Sequence, residues 1–142
     1  MSYDENGMYR ETRKSGINWM DDHPGTAAKS YYVAGPMRGI AEFNFPAFLA
    51  KSAELRYAAH VVFCPAGTDM ARGFDPTGLQ GTDAELDAMG FSVREALAVD
   101  VEFISLHATH IYMLPGWANS KGATAERALG LALGLTIEGA PA

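Results

Sequence analysis

Tyr31-Tyr32-Val33-Ala34-Gly35-Pro36-Met37-Arg38-Gly39 is the stretch that decides the architecture. Its first four residues are aromatic, β-branched or small, carry no charge, and stop abruptly at Gly-Pro. That pattern predicts a buried strand running into a turn. Outward from it, His60-Val61-Val62-Phe63-Cys64 halted by Pro65 reads as a second strand. Thr109-His110-Ile111-Tyr112-Met113-Leu114 halted by Pro115-Gly116 reads as a third, and Leu135-Thr136-Ile137 as the last. Between the first two, Pro46 opens a helical pattern at its favoured first-turn position. Phe48, Leu49, Ser52, Leu55 and Ala59 form its apolar or small stripe, with Lys51, Glu54 and Arg56 facing water. Ser92-Val93-Arg94-Glu95 has the form of a capping box, and the helix it opens turns Leu97, Val101, Phe103 and Ile104 inward. A further helix starts between Ser120 and Gly122 and runs through Leu133. The order β-α-β-loop-α-β-α-β predicts an α/β protein, a parallel sheet with helices on both faces and right-handed crossovers. Ligands of such sheets collect at the carboxyl ends of the strands.

The segment 65–90 is rich in Gly, Asp, Thr and Pro and shows no sustained period, apart from a short helix expected over 82–89. It is too long for a passive connection, so a functional lid or an insert is expected there. Residues 1–29 are charged and aperiodic and read as a flexible or loosely docked extension, with the ordered domain over 30–142. A chain of 142 residues that is 48% hydrophobic is one globular domain, which excludes wholesale disorder. The single cysteine, Cys64, makes no internal disulfide and has no metal-type spacing around it. No apolar stretch reaches the ~20 residues that span a bilayer, and no secretory signal pattern stands at the start. A cytoplasmic protein with no membrane partner is the expectation. The net charge of −6 argues against a nucleic-acid polymer as partner, but not against a single nucleotide whose phosphate is met by local donors.

Two turns at the ligand edge carry unusual chemistry. Gly35 and Gly39 let backbone approach a ligand closely, and Arg38 offers a fork of donors suited to phosphate; a tight turn with a solvated Arg is the plainer alternative. In Gly116-Trp117-Ala118-Asn119-Ser120-Lys121-Gly122-Ala123-Thr124-Ala125-Glu126, Ser120 can cap the helix and the N–H groups near Gly122 form an anion site. Glu126 falls one turn inside that helix, either serving its positive end or pointing into the cleft. Asp100, between Val99 and Val101, is either an ordinary exposed position or a second cleft carboxylate. Trp117 either walls a base-binding site or packs against the helix. His60, His107 and His110 lack ligand-like spacing and read as structural or surface residues.

These residues resemble a known family. Tyr32-Val33-Ala34-Gly35-Pro36-Met37-Arg38-Gly39, Asp100-Val101-Glu102-Phe103-Ile104 and Ser120-Lys121-Gly122-Ala123-Thr124-Ala125-Glu126 stand in the order and spacing of the nucleoside 2-deoxyribosyltransferase superfamily. More narrowly, they are similar to its 2'-deoxynucleoside 5'-monophosphate N-glycosidase branch. Phe43-Asn44-Phe45-Pro46 and Met113-Leu114-Pro115-Gly116-Trp117 also look like uncharacterised bacterial and phage proteins of that kind. The match covers about residues 30–138 and implies a Rossmann-like (flavodoxin-like) sheet of four to five strands.

What the resemblance implies about chemistry is specific. Glu126 matches the glutamate that attacks the anomeric carbon, Tyr32 the tyrosine that orients it, and Asp100 the aspartate that protonates the departing base. Enzymes acting on free nucleosides have an aspartate where Ser120 stands, while the monophosphate glycosidases have serine there, contacting phosphate. An aspartate would repel the dianion; the Ser120 hydroxyl, the Gly122 N–H and Arg38, with the Gly35 and Gly39 turn, would hold it. Base choice is assigned to Met37, Asn44 and Trp117 with the 40–46 and 65–90 segments. Hydrolysis of a (deoxy)nucleoside 5'-monophosphate is the expected reaction, with no metal or organic cofactor and with a homodimer or higher homo-oligomer as the assembly. A deoxyribosyltransferase that exchanges bases is the alternative, and a nucleotide-binding sensor without catalysis is a third.

Overall fold

A computed structural model describes residues 28–142, together with two short strands near the start, β1 (Ser2–Tyr3) and β2 (Tyr9–Arg10), paired antiparallel. The extension expected over 1–29 otherwise lies outside the described residues. The domain itself runs β3 (Ser30–Ala34), α1 (Phe45–Tyr57), β4 (Val61–Phe63), α2 (Pro65–Ala71), α3 (Asp83–Ala88), α4 (Val93–Leu106), β5 (His110–Met113), α5 (Lys121–Ala132) and β6 (Thr136–Gly139). Its four strands pair in the order β4-β3-β5-β6, all parallel. This is a Rossmann-like α/β sheet, with the chain crossing from one side of β3 to the other between β4 and β5. The reversal leaves a crevice at the carboxyl ends of β3 and β5.

β3 is central, and its alternation feeds two cores. Val33 packs with Phe43, Phe45, Phe48 and Cys64 on the α1 side, while Tyr32 and Ala34 pack with Ile104, Ile111 and Met113 beneath α4 and α5. Gly35 allows the ends of β3 and β5 to converge, because a Cβ there would stand 2.7 Å from the Leu114 Cβ. In α1, Phe48 and Ser52 are buried as the stripe requires, but Leu49 is exposed and Ala59 lies beyond the helix at φ 67°. Lys51 does not simply face water: its ammonium sits 4.6 Å from the centroid of the Tyr112 ring. In α4, Ile104 is buried, whereas Leu97 is 39% exposed on the rim of the crevice. Leu97 therefore contributes to the cavity lining rather than to the core. Among the described residues, no helix is long and apolar enough to cross a membrane.

The 65–90 segment carries more helix than its composition suggests. Pro65 ends β4 by starting α2, where its missing N–H is no loss, and the Cys64 Sγ accepts the Gly67 N–H. Thr82 and Glu85 cap α3 reciprocally. Between the two, the chain folds back on the turn after β3: the Gly39 N–H donates to the Gly81 carbonyl and the Glu42 N–H to that of Leu79, each at 2.8 Å. Gly81 has φ +80°, and a Cβ there would stand 2.5 Å from the Ile40 carbonyl oxygen, so no other residue fits without moving the segment. Opposite it, Glu42, Phe43 and Asn44 are all left-handed, at φ 53°, 53° and 61°. Such backbone costs roughly 1 kcal/mol or more per residue, and it is held here by the burial of Phe43 and the Asn44 amide donating to the Pro36 carbonyl at 2.9 Å.

Candidate functional site

The crevice at the carboxyl ends of β3 and β5 is a cavity of about 790 Å³, large enough for a nucleotide-sized ligand. Its floor is the Tyr32 and Glu126 pair. Tyr32 projects from β3 toward α5 and donates its hydroxyl proton to the Glu126 Oε2. The tyrosine ring cannot swing away, since it stacks on Phe63 at 5.7 Å, which stacks in turn on Phe103 at 4.8 Å. Glu126 is carried one turn into α5, whose start is set by the Ser120 Oγ accepting the Ala123 N–H at 3.1 Å. Its side chain is buried in the cleft, so the second of the two sequence readings is the observed one. Asp100 also faces the cavity from α4 and is not an ordinary exposed position.

Burial dominates the electrostatics. It pushes the Glu126 carboxyl from its ordinary 4.5 up to about 8; the Tyr32 hydrogen bond pulls it back, and the Asp100 charge adds to the rise. Asp100 is raised from 3.8 to about 7 by burial and then by the charge of Asp69, with Tyr32 pulling it down. The Tyr32 hydroxyl is raised well above 10, first by burial and then by the two carboxylates, so it remains a donor. The charge of Asp100 acts on Glu126, so the two titrations are coupled.

A consequence for stability follows. In the unfolded chain these carboxyls ionise near 3.8 and 4.5, in the folded protein near 7 and 8. As pH rises, the unfolded state releases its protons first. Stability is thus fully present below the unfolded values and is lost as pH climbs through the folded ones. Thermal melts should give a lower Tm at pH 8 than at pH 5, and Glu126→Gln should narrow that difference; a pH-independent gap between the two proteins would remove the argument.

One end of the cavity is lined by Ser120, Lys121 and Gly122 at the start of α5, together with Arg38 and Gly35 from the turn after β3. Ser120 accepts the capping N–H through its oxygen, which leaves its own proton available to donate. Arg38 is 3.1 Å from Asp83 in an exposed ion pair, a contact worth about 0–1 kcal/mol that a phosphate can displace. Met37 lines the same cavity, whose remaining wall is apolar, with Ile40, Phe74, Leu86 and Phe91.

Three residues expected at the site do not line it. The Gly39 N–H is committed to Gly81, and the Asn44 amide to Pro36. Trp117 packs against α5: its Nε1 donates to the Ala140 carbonyl at 2.9 Å and the Arg127 guanidinium lies over its ring. The packing alternative holds for this tryptophan. His60, His107 and His110 lie at the other end of the sheet, near the starts of β4 and β5. There the His60 Nδ1 accepts the Lys29 N–H, and Tyr31 donates to Glu138.

One titratable cavity residue was covered only by the 65–90 segment and was not singled out. Asp69 reaches the cavity from α2, and burial raises it from 3.8 to about 6 against the pull of Arg72. Its position after a parallel strand was the available signal, since the carboxyl edge of such a sheet is where ligands meet the chain. Lys121, although part of a recognised motif, had no role assigned and also lines the cavity.

The fold is that of a Rossmann-like α/β protein, with a carboxylate pair and a helix N-terminus converging on the crevice at its switch point. The chain belongs to the family described as a domain of unknown function, DUF4406, which it matches over residues 29–138. No curated protein and no solved structure matches it significantly.

Proposed function

We propose that the protein hydrolyses the N-glycosidic bond of a (2'-deoxy)nucleoside 5'-monophosphate, releasing free base and sugar phosphate. The observation that carries this reading is the buried Glu126 held by the Tyr32 hydroxyl, in a cleft that also holds Asp100 and the start of α5. The residues behind the resemblance to nucleoside 2-deoxyribosyltransferases thus meet in one place, which supports that kinship as well. The phosphate sits against Ser120, the Gly122 N–H, Lys121 and Arg38, and the sugar then lies over Glu126. As the bond to the base breaks, positive charge develops on the sugar, and the Glu126 carboxylate stabilises it or captures it as a glycosyl-enzyme. The reaction takes the charge on Glu126 and the proton on Asp100: the bond donated by Tyr32 favours the ionised form of Glu126 against the burial that raises it, and the cation developing on the sugar adds to that preference. Water completes the hydrolysis. The same reading carries a cytoplasmic location and a homodimer or higher homo-oligomer as the assembly.

The test is a panel of nucleoside 5'-monophosphates, including 5-modified pyrimidines, assayed for free base. Release of base with no new nucleotide when a second base is added supports the hydrolase; appreciable exchange makes the protein a transferase. Binding without release from any nucleotide favours the sensor. Ser120→Asp probes the phosphate contact. Aspartate caps a helix as well as serine does, so the fold should survive, while KM for a monophosphate should rise about tenfold or more. An unchanged KM would remove phosphate from the proposed contact.

A further inference from the structure

Among the described residues, Asp69 is the carboxylate that borders two cavities. On one side it faces the main cleft, where its charge acts on Asp100. On the other lies a smaller cavity of about 240 Å³, whose rim of Arg72, Gly73, Met89, Gly90 and Glu95 is exposed and opens to solvent. Phe74, Phe91 and Ala96 complete the wall shared by the two. The charged and titratable groups lining the two cavities with Asp69 are Arg72 just after α2, Glu95 and Asp100 from α4, Tyr32 from β3, Arg38 from the turn after it, and Lys121 and Glu126 from α5.

A nucleotide seated on Glu126 and the start of α5 occupies the main cleft, so an acid beneath it loses its direct route to bulk water. We infer that Asp69, placed between the two cavities, acts through Asp100 and resupplies its proton from the smaller one. This rests on the glycosidase reading. When the bond between sugar carbon and base nitrogen breaks, its electron pair stays with the nitrogen and the Asp100 O–H proton moves to the base. Asp69, a carboxylate in the resting protein, takes a proton from water in the smaller cavity and passes it to the Asp100 carboxylate. The water that attacks the sugar sheds a proton, which balances the one taken up. In the resting protein the Asp69 charge beside Asp100 disfavours a second carboxylate, in the manner of other close acid pairs.

The experiment uses protein labelled with ¹³C at the aspartate carboxyls, titrated by NMR as wild type, Asp69→Asn and Asp69→Glu, with Asp100→Asn to assign the signal. In Asp69→Asn the Asp100 midpoint should fall by about one pH unit. With a cleaved nucleotide, kcat should drop about tenfold at pH 8, change less than about twofold at pH 5.5 and leave KM unaltered. Asp69→Glu, which keeps the carboxylate, should recover most of the wild-type profile. An unshifted Asp100 midpoint, or an equal loss at both pH values, overturns the role of Asp69. If wild type releases no base while the midpoint shift is present, the glycosidase reading falls and the proton-sharing pair stands; if an active enzyme shows no shift, Asp69 alone is overturned.

Discussion

Glu126→Ala is expected to lower kcat for base release by about 10³-fold or more, some 4 kcal/mol of transition-state stabilisation. The size follows from where the carboxylate sits. It is buried, so its field at the sugar is poorly screened, and the Tyr32 hydroxyl fixes its orientation before any ligand arrives. Removing it should leave the fold intact, because it lies on the cleft side of α5 where water can satisfy Tyr32. The loss of a buried carboxyl should also spare the protein the ionisation penalty at high pH. Glu126→Gln separates charge from shape: it can still accept the Tyr32 hydrogen bond, yet should be nearly as slow as the alanine variant. Turnover within about tenfold of wild type in either variant would sink the role assigned to Glu126.

Asp100→Asn should slow the release of bases that leave poorly as anions by about 10²–10⁴-fold, the usual range for a positioned general acid. Bases that depart readily without a proton should be slowed by about tenfold at most. The contrast arises because asparagine keeps the size of the side chain but has no proton to give. Plotting the logarithm of kcat against the pKa of the departing base should therefore give a steeper line for the variant than for wild type. Parallel lines would mean that Asp100 holds the substrate in place and does not protonate it.

The first three strands of the sheet were legible because each is a short apolar run cut off by Gly-Pro, Pro or Pro-Gly, and those signals act through neighbouring residues alone. The same holds for the start of α5, where Ser120 caps its own helix. Glu126 and Asp100 were legible only as alternatives. Asp100 sits between two valines, and Leu97 shows that the face of α4 above it is not closed by packing, so periodicity could not orient the carboxylate. Short helices defeat periodicity as well: α2, at 7 residues, has only two turns in which to display a stripe. That is why Asp69 escaped notice. Trp117 was ambiguous for a different reason, as the carbonyl that takes its N–H belongs to Ala140, 23 residues away.

By itself, then, the sequence determined a parallel α/β domain, its order of elements and the turns at which a ligand would be met, because strand ends, caps and crossovers are local or topological matters. Only the tertiary structure decided which polar groups share the crevice. Tyr32 and Glu126 are 94 residues apart, and the turn after β3 is held by carbonyls from Leu79 and Gly81. Burial, the cause of the raised carboxyls, depends on what packs around each side chain from every direction, and no single segment of chain carries that information.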